Sequence, residues 1–102
     1  MTNARAFEAT TYLKVAQQQE IARLARNLDT RAREYASQYS DLSVIEVRPT
    51  PSISSVAISL EVIGNTPSSA AEKAKNFLNV VLETMHTEGE RFEAQSRELA
   101  YA

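Results

Sequence analysis

The sequence predicts an α+β domain built from four strands and two helices, and three observations lead there. Two stretches, Phe7 to Val15 and Val56 to Val62, alternate apolar and polar residues with the period of half-buried strands. Two others, Ile21 to Tyr35 and Ala70 to Met85, repeat apolar residues at spacings of three and four, the period of an amphipathic helix. Only two glycines and three prolines interrupt the 102 residues, so little of the chain is left for irregular structure.

The first strand spans Ala6 to Ala16, with Phe7, Ala9, Thr11, Leu13 and Val15 alternating with Glu8, Thr10, Tyr12 and Lys14. Thr10, Thr11 and Tyr12 are mediocre helix formers. The competing reading, one helix from Asn3 to Gln38, would be ~50 Å long and would outrun a domain of this size. From Gln17 to Tyr39 the period changes to helical. Ile21, Leu24, Ala25, Leu28, Ala32 and Tyr35 form the apolar stripe, with Arg23, Arg26, Arg31, Arg33, Glu20, Asp29 and Glu34 away from it.

Ser43 to Arg48 reads as a short second strand. The prolines in Pro49-Thr50-Pro51-Ser52 then impose a turn, since proline donates nothing to a ladder. Val56, Ile58, Leu60 and Val62 alternate with Ala57, Ser59 and Glu61 in the third strand, which Gly64-Asn65 ends. Thr66-Pro67-Ser68-Ser69 opens the second helix: Thr66 can cap exposed N–H groups, and proline suits the first helical position. Ala70, Ala74, Phe77, Leu78, Val81 and Met85 make its buried stripe, and Gly89 stops it. Arg91 to Tyr101 reads as the fourth strand, with a weaker alternation and a trailing helix as the alternative.

Strand, helix, strand, strand, helix, strand is the split βαβ arrangement of ferredoxin-like folds. It predicts one domain over residues 1–102, with an antiparallel sheet of order 4-1-3-2 and both helices on one face. Topology of this kind leaves function open.

Composition narrows the functions. The chain is 43% apolar and 24% charged, with a formal charge of −2, whereas a dedicated nucleic-acid binder is usually basic. It has no cysteine, which excludes disulfide scaffolds, thiol catalysis and cysteine metal sites, and which fits a reducing, cytoplasmic compartment. No apolar run reaches the ~18 residues of a membrane span, and Met1-Thr2-Asn3-Ala4-Arg5 leads into no signal-peptide core.

Motifs for chemistry are equally sparse. RNA binding on such a sheet needs exposed rings for base stacking, and Tyr12 is the one ring on the solvent faces of the central strands. Glu8, Glu46 and Glu61 would repel phosphates. The arginines of the first helix are interleaved with Asp29 and Glu34 and read as a solvated face. The junction Val15-Ala16-Gln17-Gln18-Gln19 lacks the glycines that permit close backbone approach to a ligand. No Gly-x-Ser-x-Gly elbow or phosphate-binding loop occurs, because Gly64 and Gly89 stand alone. His86 is the single histidine, with Glu83 and Glu90 as conceivable partners for acid–base work. A plainer account is its place near the negative end of the helix dipole. Tyr35 and Tyr39 read as the margin of the core.

The expectation is therefore a non-enzymatic interaction or oligomerisation module without catalytic, cofactor or metal residues. The alternative is a small-ligand-binding domain or cofactor-free enzyme of the ferredoxin-like dimer type, with a pocket between sheet and helices and Tyr12 or His86 as its polar group. A homodimer through the open sheet face is expected from an apolar patch of Ala6, Val44, Ile63, Leu99 and Tyr101. Polar Glu8, Thr10, Glu46, Ser59, Glu61, Gln95 and Arg97 occupy the middle of that face in this reading.

Overall fold

The computed structural model describes residues 4–93 and 95–101, with positions 97 and 101 described by backbone alone. Strand β1 (Arg5–Lys14) leads through a 3₁₀ turn (Gln18–Glu20) into helix α1 (Ile21–Ala36). Strands β2 (Leu42–Thr50) and β3 (Ser55–Gly64) form a hairpin across a second 3₁₀ turn (Pro51–Ile53). Helix α2 (Pro67–Thr87) and strand β4 (Gln95–Tyr101) complete the described chain. It is an α+β fold whose antiparallel sheet runs β2-β3-β1-β4.

Each period of the sequence becomes a buried face. Phe7, Ala9, Thr11 and Leu13 of β1 lie opposite Val62, Leu60, Ile58 and Val56 of β3, and all eight are buried. The segment is a strand because its period of two matches the pleat; a helix would have scattered these side chains around its circumference. The stripe of α1 buries Ile21, Leu24, Ala25, Leu28 and Ala32, and that of α2 buries Ala70, Ala74, Phe77, Leu78, Val81 and Met85. Helix α1 packs over β2 and β3, while α2 packs over β3 and β1. At the margin of this core the Tyr35 hydroxyl lies 2.9 Å from Thr84 Oγ1, and the Tyr39 and Phe77 rings meet edge to face.

The joints follow from local chemistry. Thr66 caps α2, its Oγ1 accepting the Ser69 N–H at 3.0 Å, with Pro67 in the first turn. At the other end Gly89 takes φ +88°, where a side chain would be strained. Its N–H donates to the His86 carbonyl, and the Glu90 N–H donates to the Met85 carbonyl, which together form a Schellman motif. Gly64 serves a different purpose: a Cβ there would stand 3.3 Å from the Ala70 backbone nitrogen, a tight approach where α2 crosses the end of β3.

Three boundaries differ from the sequence reading. Strand β2 runs on through Pro49 and Thr50, because β2 is an edge strand and proline costs an edge no ladder bond. Only Pro51–Ile53 turns, with Ser54 at φ 50° closing it. The first turn of the first helix is 3₁₀ in character, and Gln17 ahead of it makes no side-chain cap. Strand β4 begins at Gln95 rather than Arg91.

Two substitutions test this account of the core and the cap. Leu13 is fully buried, so Leu13→Ala is expected to cost about 2–5 kcal/mol in urea unfolding. Thr66→Ala is expected to cost about 1 kcal/mol, and Thr66→Ser to cost much less, because serine restores the capping oxygen.

Candidate interaction surface

Both helices lie on one face of the sheet, and the opposite face is covered by neither. Pairing aligns the residues of that bare face in rows across the strands. In the middle row, Glu46 (β2), Ser59 (β3), Thr10 (β1) and Glu98 (β4) follow one another. The Thr10 and Ser59 hydroxyls are 3.0 Å apart, so a hydrogen-bonded pair sits between two flanking carboxylates. The next row is Ser43, Glu61, Glu8 and Ala100, with Glu61 and Glu8 directly opposite on adjacent strands. Ile63 and Ala6 follow at the end of the face. In the other direction come Arg48, Ala57, Tyr12 and Ser96, and then Thr50, Ser55 and Lys14.

Charge is therefore segregated. Four glutamates occupy the two middle rows, while Lys14 and Arg48 stand toward the hairpin end, where Arg48 pairs with Glu46. None of the ion pairs among the described residues reaches Glu8, Glu61 or Glu98. Directly opposed like charges destabilise a sheet by roughly 0.2–1 kcal/mol. Along β3 the floor of the face is low, since Ala57 and Ser59 are small and buried. Near the hairpin, a groove of about 450 Å³ is lined by Tyr12, Lys14, Ile53, Ser55, Gln95, Ser96 and Glu98. Ile53 is 54% exposed at its rim.

The expected apolar patch is dispersed by this register. Ala6 and Ile63 do lie on the bare face, but Val44 pairs with Leu60 and Leu99 pairs with Ala9, both on the helix side. Val44 and Leu99 are half-buried and pack against the core. Tyr101 is in register with Phe7, and its side chain lies outside the described residues. Gln95 and Arg97 likewise align with Leu13 and Thr11 rather than with the bare-face rows. The faces of β4 are exchanged relative to those expected from its sequence, as a one-residue slip in parity does to a strand. The residue types carried the missed signal, since Leu99 is better placed over the core than its charged neighbour Glu98. In β2 a bulge between Val44 and Glu46 leaves Ile45 as the extra residue, 44% exposed, and breaks simple alternation.

Tyr12 and His86 do not form one site. Tyr12 is on the sheet face turned away from the helices, whereas His86 is exposed in the last turn of α2. Neither lines the interface between sheet and helices, the place expected for a ligand pocket. Beside His86, the segment after α2 is tied to α1: Arg31 binds Glu88, and Arg23 binds Glu90 as well as Glu20. Hydrogen bonds donated to Glu20 and then to Glu90 raise the Arg23 pKa, and the bond donated to Glu88 chiefly raises that of Arg31. These contacts fix the end of α2; they are exposed and stabilise only modestly.

No family model matches the chain, and no curated protein matches it significantly. Among solved structures, it is similar to a C-terminal segment of the α subunit of aIF2 from Pyrococcus abyssi. That match has 14% identity and a TM-score of 0.51, and covers 97% of this chain and 51% of the other. It is also similar to the de novo designed protein Foldit4, with 10% identity, a TM-score of 0.45, and coverage of 98% of this chain and 99% of the other. The chain thus spans about half the length of the archaeal segment, and at this identity the likeness concerns the compact α+β fold alone. Among the described residues, no helix is long and apolar enough to cross a membrane.

At the Ile63 end of the sheet, Lys73 of α2 donates to Asp41 Oδ2 and to the Ile63 carbonyl, both at 2.8 Å. The Lys73 hydrogen bond holds the Asp41 carboxyl below its ordinary value of 3.8, against a smaller opposing effect of desolvation. A depressed carboxyl stabilises the fold fully above its unfolded pKa and loses that contribution as pH falls through the folded value. Lys73→Gln is therefore expected to lower stability at neutral pH by less than about 1 kcal/mol, since the pair is exposed. In urea titrations the gap to wild type should close as the pH falls below 3.8. A gap independent of pH would assign the effect to the Ile63 carbonyl contact instead.

Proposed function

We propose that this chain is a non-enzymatic interaction module whose bare sheet face binds a basic, lysine- or arginine-bearing segment of a partner protein. The order of its elements and strands supports a ferredoxin-like βαββαβ reading of the α+β fold. The observation that carries the proposal is the opposed pair Glu8 and Glu61, flanked by Glu46 and Glu98 on a face that no helix covers. A sheet gains nothing in stability from facing carboxylates, and local departures of this kind gather at functional sites. A cationic side chain over the Glu8–Glu61 pair relieves the repulsion and makes charge-assisted hydrogen bonds. The same charges oppose phosphate backbones, and they oppose face-to-face contact with a second copy, which would set carboxylates against carboxylates.

A second reading is favoured by the groove at Tyr12. Its volume, the half-buried tyrosine ring and Lys14 at its edge suit a small anionic ligand with an apolar body. This groove opens on the bare face, so the ligand-binding alternative shifts there from the interface between sheet and helices.

Amide chemical-shift mapping during titration with a lysine-rich peptide separates the two. Shifts at Glu8, Glu46, Glu61 and Glu98 that weaken with added salt support the interaction module. Glu8→Gln combined with Glu61→Gln should weaken binding by up to roughly five-fold per charge removed, equivalent to about 1 kcal/mol each. The same double variant should stabilise the free protein by about 0.2–1 kcal/mol. Absence of shifts on this face at millimolar peptide overturns the proposal, and shifts confined to Tyr12, Ile53 and Ser96 favour the small-ligand reading.

A further inference from the structure

The two edges of the sheet differ in a way that bears on self-association. An edge strand presents unpaired N–H and C=O groups and invites another strand unless it is interrupted. Strand β2 is interrupted twice, by the bulge between Val44 and Glu46 and by Pro49. Strand β4 has neither interruption: from Gln95 to Tyr101 it contains no proline or glycine and keeps an unbroken register with β1. The helices pack chiefly over β2, β3 and β1, and β4 lies at the margin of the helix layer. There, a mainly apolar notch of about 200 Å³ lies between α2 and β4, lined by Ala9, Thr11, Ala71, Ala74, Glu98 and Leu99.

We propose that β4 pairs antiparallel with β4 of a second copy of this chain, extending the two sheets into one across a two-fold axis. Charge excludes two registers, and apolar contact favours a third. An axis through position 97 or 98 would set Arg97 or Glu98 against its own copy, a destabilising arrangement. An axis through position 99 sets Leu99 beside the second copy's Leu99 on the helix side, continuous with Ala71 and Ala74, and sets Glu98 opposite Ala100. The open backbone along positions 97–101 is then satisfied by the same positions of the second copy, and the contact is closed by its symmetry. This dimer leaves the glutamate rows of the bare face exposed, so it stands or falls separately from the binding of a basic partner.

Sedimentation equilibrium of the full chain tests it, with an expected limiting mass of twice the 11.3 kDa chain. Ala100 is exposed and lies opposite Glu98 in this register only, so its charge reads the register directly. Ala100→Lys should tighten the dimer and Ala100→Glu should loosen it, by roughly two- to thirty-fold each, from two symmetric cross-strand charge pairs. Circular dichroism is expected to show both variants folded. Ile63→Asp, on the bare face, should leave the dimer intact. Without any substitution, amide exchange should slow with rising protein concentration within residues 97–101 and stay constant in 42–50. A monomer at millimolar concentration overturns the proposal, as does a dimer lost with Ile63→Asp, or concentration-dependent protection in β2 rather than β4. A dimer that responds alike to Ala100→Lys and Ala100→Glu overturns the register.

Discussion

The antiparallel ladder between β1 and β3 is the constraint on which the rest of the molecule depends. It joins strands that are forty residues apart in the chain, and its inner face places Phe7, Ala9, Thr11 and Leu13 against Val62, Leu60, Ile58 and Val56. Each large apolar side chain buried there contributes roughly 1.5–3 kcal/mol of hydrophobic free energy. Because these residues alternate strictly, the register cannot slip by one position without turning the whole apolar set to solvent. Both outer strands take their face and height from this pair: β2 through β3, and β4 through β1.

The same ladder produces the functional asymmetry of the sheet. Two helices suffice to cover the inner face, since each stripe is buried against β1, β2 or β3 and against the other helix. What remains outside is decided by pairing rather than by composition. Residues distant in sequence become neighbours in rows, and the rows sort themselves into hydroxyls, carboxylates and a mixed end near the hairpin. Glu8 and Glu61 face each other because Phe7 and Val62 do, one position along. The core therefore fixes the charge pattern of the opposite surface.

The ends of the helices show how local chemistry supports this arrangement without defining it. The Thr66 cap and the Gly89 Schellman turn delimit α2. Lys73 then ties its first half to the sheet end through Asp41 and Ile63, and Arg23 and Arg31 tie the segment that follows it to α1. These contacts are exposed, and their individual contributions are small. They orient a helix whose position is set by the burial of Phe77, Leu78, Val81 and Met85.

The sequence by itself determined the α+β class and the buried stripe of both helices, while it left the last element open between strand and helix. Period and capping chemistry are local, and they can be read from neighbouring residues. It also determined the inner face of β1 and β3, where alternation is unambiguous. Tertiary structure alone decided the faces of β2 and β4. In β2 a bulge at Ile45 interrupts the alternation, and in β4 apolar and charged residues mix too evenly for period to choose. Partners some ninety residues away, Ala9 for Leu99 and Phe7 for Tyr101, made that choice. For the same reason the glutamates of the bare face were legible one by one, whereas the opposition of Glu8 to Glu61 and the place of Glu98 beside Thr10 were not. An apolar patch assembled from Val44, Ile63 and Leu99 failed on this point: strand parity is set by pairing, and pairing is a property of the folded sheet.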